Sequence, residues 1–290
     1  MASSVIPVDL RNPGQVIASL GFAEAAEALL GATVRSAFHG DSGSTRVEFF
    51  LETDAASDPI RELIQMLRGA SVAAVIPRGS TLSTKKWSVA EVVAPGLVSP
   101  SPVPRTPATL PARLECGERS ITLSSWADGP HSGLDNAKLW AGAGGYPGAA
   151  LARDILQLIA EIHESDIDNV VLDPFAYSTP MTSSFRLDWR RDYIPLDAGF
   201  SPNQHGDVTM VGYPFTELFG AIGLRYARPK KIDKLHYRYG TWGEPLPNAL
   251  ARPVLGAVDI GVPIRNFEMI LGWPGKEGQA RCIIDAREDL

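Results

Sequence analysis

Over the first 94 residues the spacing of apolar positions switches between a period near two and a period near 3.6, and the switches mark elements. Val5 to Leu10 reads as a strand. Asn12-Pro13-Gly14 then opens a helix, because proline in a first turn lacks only an N–H that would go unpaired there. The helix carries Val16, Leu20 and Ala23 on to Leu29-Leu30. Gly31 suits the position after its end, since glycine enters the left-handed region without a Cβ clash. Two strands follow, Val34 to Phe38 and Arg46 to Leu51, separated by Gly40-Asp-Ser-Gly-Ser44. Asp58-Pro59 opens a second helix with Ile60, Leu63, Ile64 and Leu67 at helical spacing up to Gly69, and Val72 to Ile76 closes the series as a strand. The predicted fold class is α+β, with an N-terminal ferredoxin-like βαββαβ unit followed by a second mixed α+β region. Ferredoxin-like units also build many RNA-binding modules. Val47-Glu-Phe-Phe-Leu51 lacks the Gly-flanked aromatic pattern of an RNA-recognition motif, which assigns Phe49 and Phe50 to core and edge packing.

Residues 95 to 111 hold six prolines among Ser, Thr and Val, a composition unsuited to a central strand or a helix interior. This divides the chain into a ferredoxin-like domain over 1–94, a linker over 95–111 and a mixed α+β domain over 112–290. In the last of these, strands are predicted near Leu114 and from Ile121 to Leu123, and helices from about Pro147 to His163 and from roughly Pro214 to Tyr226. Arg225 and Arg228 complement the negative C-terminal end of the latter helix. There is no repeat of fixed period and no heptad run, and the topology after residue 112 stays open.

The 290 residues are 44% hydrophobic and 21% charged, an ordinary globular composition. Met-Ala-Ser-Ser-Val-Ile-Pro is not a basic segment leading into an apolar one, and no apolar run approaches the roughly 18 residues of a membrane span. The expectation is a cytoplasmic protein without a membrane partner. Cys116 and Cys282 are too few for a disulfide framework and are expected to be reduced and packed. The five histidines are scattered without ligand spacing, so neither a metal nor another cofactor is expected. Asp128, Asp166 and Asp168 show no acid–base spacing, and no Gly-x-Ser-x-Gly elbow is present. The chain reads as non-catalytic. The loop Gly142 to Gly148 precedes a helix but fits neither phosphate-binding fingerprint, because Pro147 interrupts one and no Gly-Lys-Ser/Thr supplies the other. It is open to two readings, a plain loop or an anion cradle for a phosphorylated small molecule.

Charge changes the picture most. Arg225, Arg228, Lys230, Lys231, Lys234 and Arg238 stand against one anion, Asp233, so this segment carries +5 within a chain of net −6. The remainder therefore carries −11. Such segregation favours a polyanion at one face, with Tyr226, Tyr237, Tyr239 and Trp242 at hand to stack on bases; the alternative is a solvated loop. The backbone-binding candidates are these six cations, with Tyr237 and Trp242 as stacking platforms. Lys138 and Arg186 lie in blocks rich in Ser, Thr and aromatics that suit sugar-phosphate contacts, or turns around buried Trp126 and Trp140. Asn12 and Gln15 carry amides able to pair with adenine, and serve equally as caps of the first helix.

Several blocks in one order resemble a subunit family of type I-U (I-G) CRISPR effector complexes. They are Ile6 to Gln15, Leu20 to Ala26, Trp126 to Gly129 with Asp135 to Leu139, and Thr179 to Phe185. Asp197 to Asn203, Ala227 to Pro229, Trp242 to Pro247 and Leu250 to Pro253 continue the series. The resemblance implies a compact equivalent of the large subunit, in a complex that is guided by RNA, finds foreign DNA and recruits a helicase-nuclease. Its implied partners are guide RNA (crRNA), target double-stranded DNA and the other backbone subunits, with the large-subunit role in sensing a protospacer-adjacent motif. No catalytic residue comes with it. The family often carries a long charged central insert, and this chain has the short proline-rich segment instead. A scaffold that contacts only protein remains an alternative.

Overall fold

The computed structural model describes residues 1–41, 43–94, 96, 106–124, 146–182, 184–192, 209–273 and 281–289. In its first part the chain forms β1 (Ala2–Asp9), α1 (Pro13–Ala25), β2 (Val34–His39), β3 (Arg46–Thr53), α2 (Pro59–Arg68) and β4 (Ser71–Pro77). This is the order that the periodicity predicts. It continues through β5 (Ala90–Ala94), β6 (Ala112–Cys116), β7 (Arg119–Leu123), α3 (Gly148–Ala160), α4 (Ile167–Leu172), β8 (Thr179–Pro180), α5 (Trp189–Asp192) and β9 (Val211–Gly212). Then come α6 (Pro214–Tyr226), β10 (Lys230–Lys231), β11 (His236–Trp242), β12 (Leu246–Pro247), α7 (Asn248–Leu255), β13 (Ile264–Gly272) and β14 (Cys282–Glu288). The class is mixed α+β. No helix of the described residues is long and apolar enough to cross a membrane.

Local chemistry sets the first elements. Beyond α1 a π-helical turn over Ala26–Leu30 ends at Gly31, which has a φ of 72°. Asp58 caps α2 by accepting the Arg61 N–H at 2.9 Å, and the Ser4 hydroxyl donates to the same oxygen at 2.7 Å, tying the cap to β1. In the antiparallel β1-β3-β2 sheet the register lines up Ile6, Phe49 and Phe38 on the buried face. Period-two alternation leaves Val5, Pro7, Glu48, Arg35 and His39 exposed on the other. Phe50 lies on that open face, half-buried, with its ring 5.5 Å from that of His39.

The predicted βαββαβ unit does not close into one sheet. β4 pairs in parallel with β5 and antiparallel with β6, in a separate sheet of order β5-β4-β6-β7. The physical reason lies in its sequence. Val72, Ala73, Ala74 and Ile76 are all buried, an unbroken apolar run that needs cover on both faces. The first sheet leaves one face open, and its fourth strand, β12, adds beside β2, on the edge away from β1. The division at 95–111 is corrected by the same finding. Ala108, Thr109 and Leu110 are buried, the Val75 N–H donates to the Pro111 carbonyl at 2.8 Å, and the β4–β6 ladder begins at Ala112. The sheet thus spans the boundary that composition suggests.

At the centre α1 is buried along its whole length, and α6 is buried from Pro214 to Leu224. Glycines let their backbones touch: a Cβ on Gly21 would lie 1.9 Å from the Phe219 carbonyl oxygen, and one on Gly223 would lie 2.1 Å from that of Ile17. Phe22 and Phe219 stack beside this crossing. Glu24, buried in α1, accepts two hydrogen bonds of 2.7 Å from the Arg252 guanidinium of α7. Burial raises the Glu24 carboxyl above its usual value, and the Arg252 contact pulls against that shift. The third sheet, β10-β11-β13-β14, is an antiparallel meander. Its inner face docks on the first part of the chain through the Tyr239 hydroxyl, which donates to the Leu10 carbonyl at 2.7 Å.

Candidate nucleic-acid interface

The basic segment runs from the end of α6 into the β10–β11 hairpin, at the edge of the third sheet. Pairing sets Lys230 opposite Arg238 and Lys231 opposite Tyr237. The turn is built by Asp233. Its Oδ1 accepts the Leu235 N–H at 2.7 Å and the His236 N–H at 3.0 Å, while Oδ2 lies 2.8 Å from His236 Nδ1. The Leu235 N–H first, then the His236 side chain, holds the Asp233 carboxyl below the usual carboxylate range. The only anion of the segment is thus committed to folding its own turn.

Arg225, Lys230, Lys231 and Lys234 are exposed. Among the described residues Arg225, Lys230 and Lys234 make no ion pair. Arg228 is half-buried, and burial first, then the charge of Arg225, lowers its pKa from the ordinary arginine value. Arg238 forms an ion pair of 2.7 Å with Asp289 beyond β14, which partly neutralises it. Four of the six predicted cations are therefore exposed, Lys230, Lys231 and Lys234 on the edge hairpin and Arg225 in the last turn of α6.

The aromatic and amide candidates are corrected. Tyr237 and Trp242 are each 1% exposed and offer no stacking face. Tyr237 and Tyr239 point to the inner side of β11, where alternation puts them in the core. Trp242 is held by a 2.6 Å hydrogen bond from its Nε1–H to the Ser36 carbonyl and an edge contact to Phe38. Tyr226 is half-buried, with the Arg252 guanidinium 5.0 Å from its ring centre. Asn12 and Gln15 are buried and reach no base edge. Asn12 does not cap α1 with its side chain; its Nδ2 donates to Asp188 at 3.2 Å. The Gln15 Oε1 accepts the Asp9 N–H at 2.7 Å.

Two residues outside the predicted set join the hairpin. Because His236 pairs with Ile270 and Gly272 with Cys282, the ends of β13 and β14 bring Trp273 and Arg281 beside Lys234. Arg281 Nη1 donates to the Lys234 carbonyl at 3.0 Å. Lys234 Nζ and Arg281 Cζ lie 5.6 and 5.7 Å from the Trp273 ring centre, and the residue is half-buried. The available signal was an aromatic followed directly by Pro274-Gly275-Lys276, with Arg281 close behind it in the sequence.

Arg186 falls in a separate turn, with a φ of 61° and its N–H donating to the Ser184 hydroxyl at 3.1 Å. That turn is buried architecture. Glu217, in the first turn of α6, accepts the Leu187 and Asp188 N–H groups at 3.1 Å, and Asp188 accepts from Asn12 and Arg190. Lys138, Trp126, Trp140 and the Gly142 to Gly145 part of the predicted anion cradle lie outside the described residues. From Pro147 onward that loop runs into α3, whose first turn begins at Gly148. Burial pushes the Cys116 thiol up to about 11, away from nucleophilic use. No group of three or more His, Cys, Asp or Glu among the described residues is placed to hold a metal. Exposed cations beside a half-buried indole can bind phosphates and stack a base. Comparison with protein-family models, with curated proteins and with solved structures finds no match to this chain.

Proposed function

We propose that this chain is a non-catalytic, nucleic-acid-binding subunit of an RNA-guided surveillance complex of the type I-U (I-G) CRISPR kind, acting in antiviral defence in the cytoplasm. The observation that carries the binding is the exposed set Lys230, Lys231 and Lys234 on an edge hairpin whose one anion is used by its own turn, with exposed Arg225 in the last turn of α6 before it. The rest of the chain is acidic, so a polyanion is steered to this edge and repelled elsewhere. The ordered blocks from Ile6 to Pro253 support the assembly, with guide RNA and target double-stranded DNA as ligands, effector backbone subunits as neighbours and a helicase-nuclease recruited on target binding. In such complexes base pairing reads the sequence, while protein reads a short motif and holds backbone. The cations here serve the second task. The β1-β3-β2 order with α1 and α2 on its buried face supports kinship with ferredoxin-like RNA-binding modules whose last strand has moved to another sheet.

The test is purification of the tagged chain from cells that express its neighbouring genes, followed by sequencing of bound RNA. A uniform guide RNA recovered with several other subunits is the expected result. A chain recovered without RNA and without other subunits overturns the assembly reading.

A further inference from the structure

We infer that the hairpin edge takes a single-stranded stretch of nucleic acid, with one base stacked on Trp273 and its flanking phosphates on Lys234 and Arg281. This rests on the nucleic-acid reading above and names the form of the ligand. Three observations carry it. Trp273 is the half-buried aromatic that the β11–β13 and β13–β14 registers bring beside the cationic hairpin, whereas Tyr237, Tyr239 and Trp242 are sealed in the core. Next, the cations stand off from the ring. Lys234 and Arg281 lie 5.6 and 5.7 Å from its centre, near the outer limit of about 6 Å for a cation–π contact. Other cation–ring contacts among the described residues run from 3.5 Å for Arg190 over Tyr213 to 5.5 Å for Arg265 over Phe267, so the two at Trp273 are the widest of the series. Lastly, Arg281 is positioned by its bond to the Lys234 carbonyl, so both charges are held at the same end of the sheet as the indole.

A base lying on the indole would have its own phosphates within reach of both cations, which is how single-strand platforms combine stacking with charge. A duplex keeps its bases stacked on one another and offers such a ring only its backbone. The edge position of β10 adds Lys230 and Lys231 along the continuing strand.

The experiment uses the full chain and fluorescent oligonucleotides of one length, as single-stranded RNA, single-stranded DNA and duplex DNA, at low salt. Trp273→Ala is expected to weaken single-strand binding roughly tenfold and duplex binding by less than about twofold, while Trp273→Phe keeps most of the affinity. Tryptophan emission is expected to be quenched by the single strand in the parent chain and much less in Trp273→Phe, which reports stacking even if the alanine variant folds poorly. Equal single-strand affinity in the parent and Trp273→Ala overturns the stacking site and leaves the cationic interface standing. Equal losses on single strand and duplex overturn it likewise. If the parent chain binds none of the three oligonucleotides, both this inference and the nucleic-acid reading fall.

Discussion

Lys230 and Trp242 sit twelve positions apart in one basic and aromatic stretch, yet they stand on opposite sides of the line between surface and core. Lys230 is exposed and makes no ion pair among the described residues, and Trp242 is sealed with its Nε1–H on the Ser36 carbonyl. Paired substitutions separate the two roles. Replacing Lys230 and Lys231 by Ala is expected to flatten the slope of log affinity against log salt by about 0.7 to 0.9 per lost phosphate contact, with little change in stability. Trp242→Phe is expected to do the reverse, costing about 1–3 kcal/mol because a buried carbonyl loses its donor, while the salt slope stays where it is. Oligonucleotide titrations across a salt series and urea unfolding read the two quantities. A Trp242→Phe variant that unfolds like the parent but binds more weakly would return that indole to the interface. At this scale the charge was legible, because six cations against one anion need no fold to be seen. The aromatic faces were legible too, had the stretch been taken as a strand: His236, Arg238 and Gly240 alternate with Tyr237 and Tyr239, which puts both tyrosines on one side. Trp273 was not, since its closeness to Lys234 depends on two strand registers.

Among the elements, those defined by local pattern were the legible ones. α2 has a capping aspartate, a first-turn proline and four apolar residues on one face, and it forms from Pro59 to Arg68. The strand β4 was legible as a strand and not as a partner, because its pairing depends on which strands reach its two edges, β5 and β6, in a sheet that can be covered on both faces. The crossing of α1 and α6 was illegible for a similar reason. Gly21 and Gly223 look like ordinary weak points in helices until the other backbone is placed against them. A methyl group at Gly21 would meet the Phe219 carbonyl at 1.9 Å, and helix backbone cannot step aside as a flexible side chain can. Gly21→Ala is therefore expected to destabilise by about 3 kcal/mol or more, at or beyond the upper end for overpacking. Gly69→Ala is the control. Gly69 ends α2 with a φ of −101° and its nearest Cβ neighbour would be 3.8 Å away, so alanine there is expected to be neutral or to stabilise by up to about 1 kcal/mol. Urea midpoints that fall equally for the two variants would show that the close crossing is not what constrains position 21.

For the whole molecule, the decisive feature is how often the chain returns to its own beginning. β12 extends the sheet of β2, β6 flanks β4, α6 lies along α1, and Arg252 of α7 reaches Glu24. Buried apolar residues from Ile6 to Ala286 form one cluster. A piece ending at residue 94 would leave β4 without its ladder partner β6 and without α3 against it, and α1 without the helix that covers its glycine side. Domains of this size already bury only about three-fifths to two-thirds of their surface, and losing those covers removes a large part of the apolar burial that offsets chain entropy. Residues 1–94 expressed alone are therefore expected to lack a fixed core, with narrow amide dispersion in NMR spectra and no sigmoidal unfolding in urea, although α2 retains some helicity from its cap. The full chain is expected to lose the first and third sheets in a single transition, since Tyr239 and Trp242 bind them together. Well-dispersed spectra and a cooperative melt from the 1–94 piece would contradict a shared core and restore the boundary that the proline-rich segment suggests. In that case the hairpin cations would belong to a separable module, whose nucleic-acid affinity would survive removal of the first 94 residues; with a shared core it is lost along with the fold.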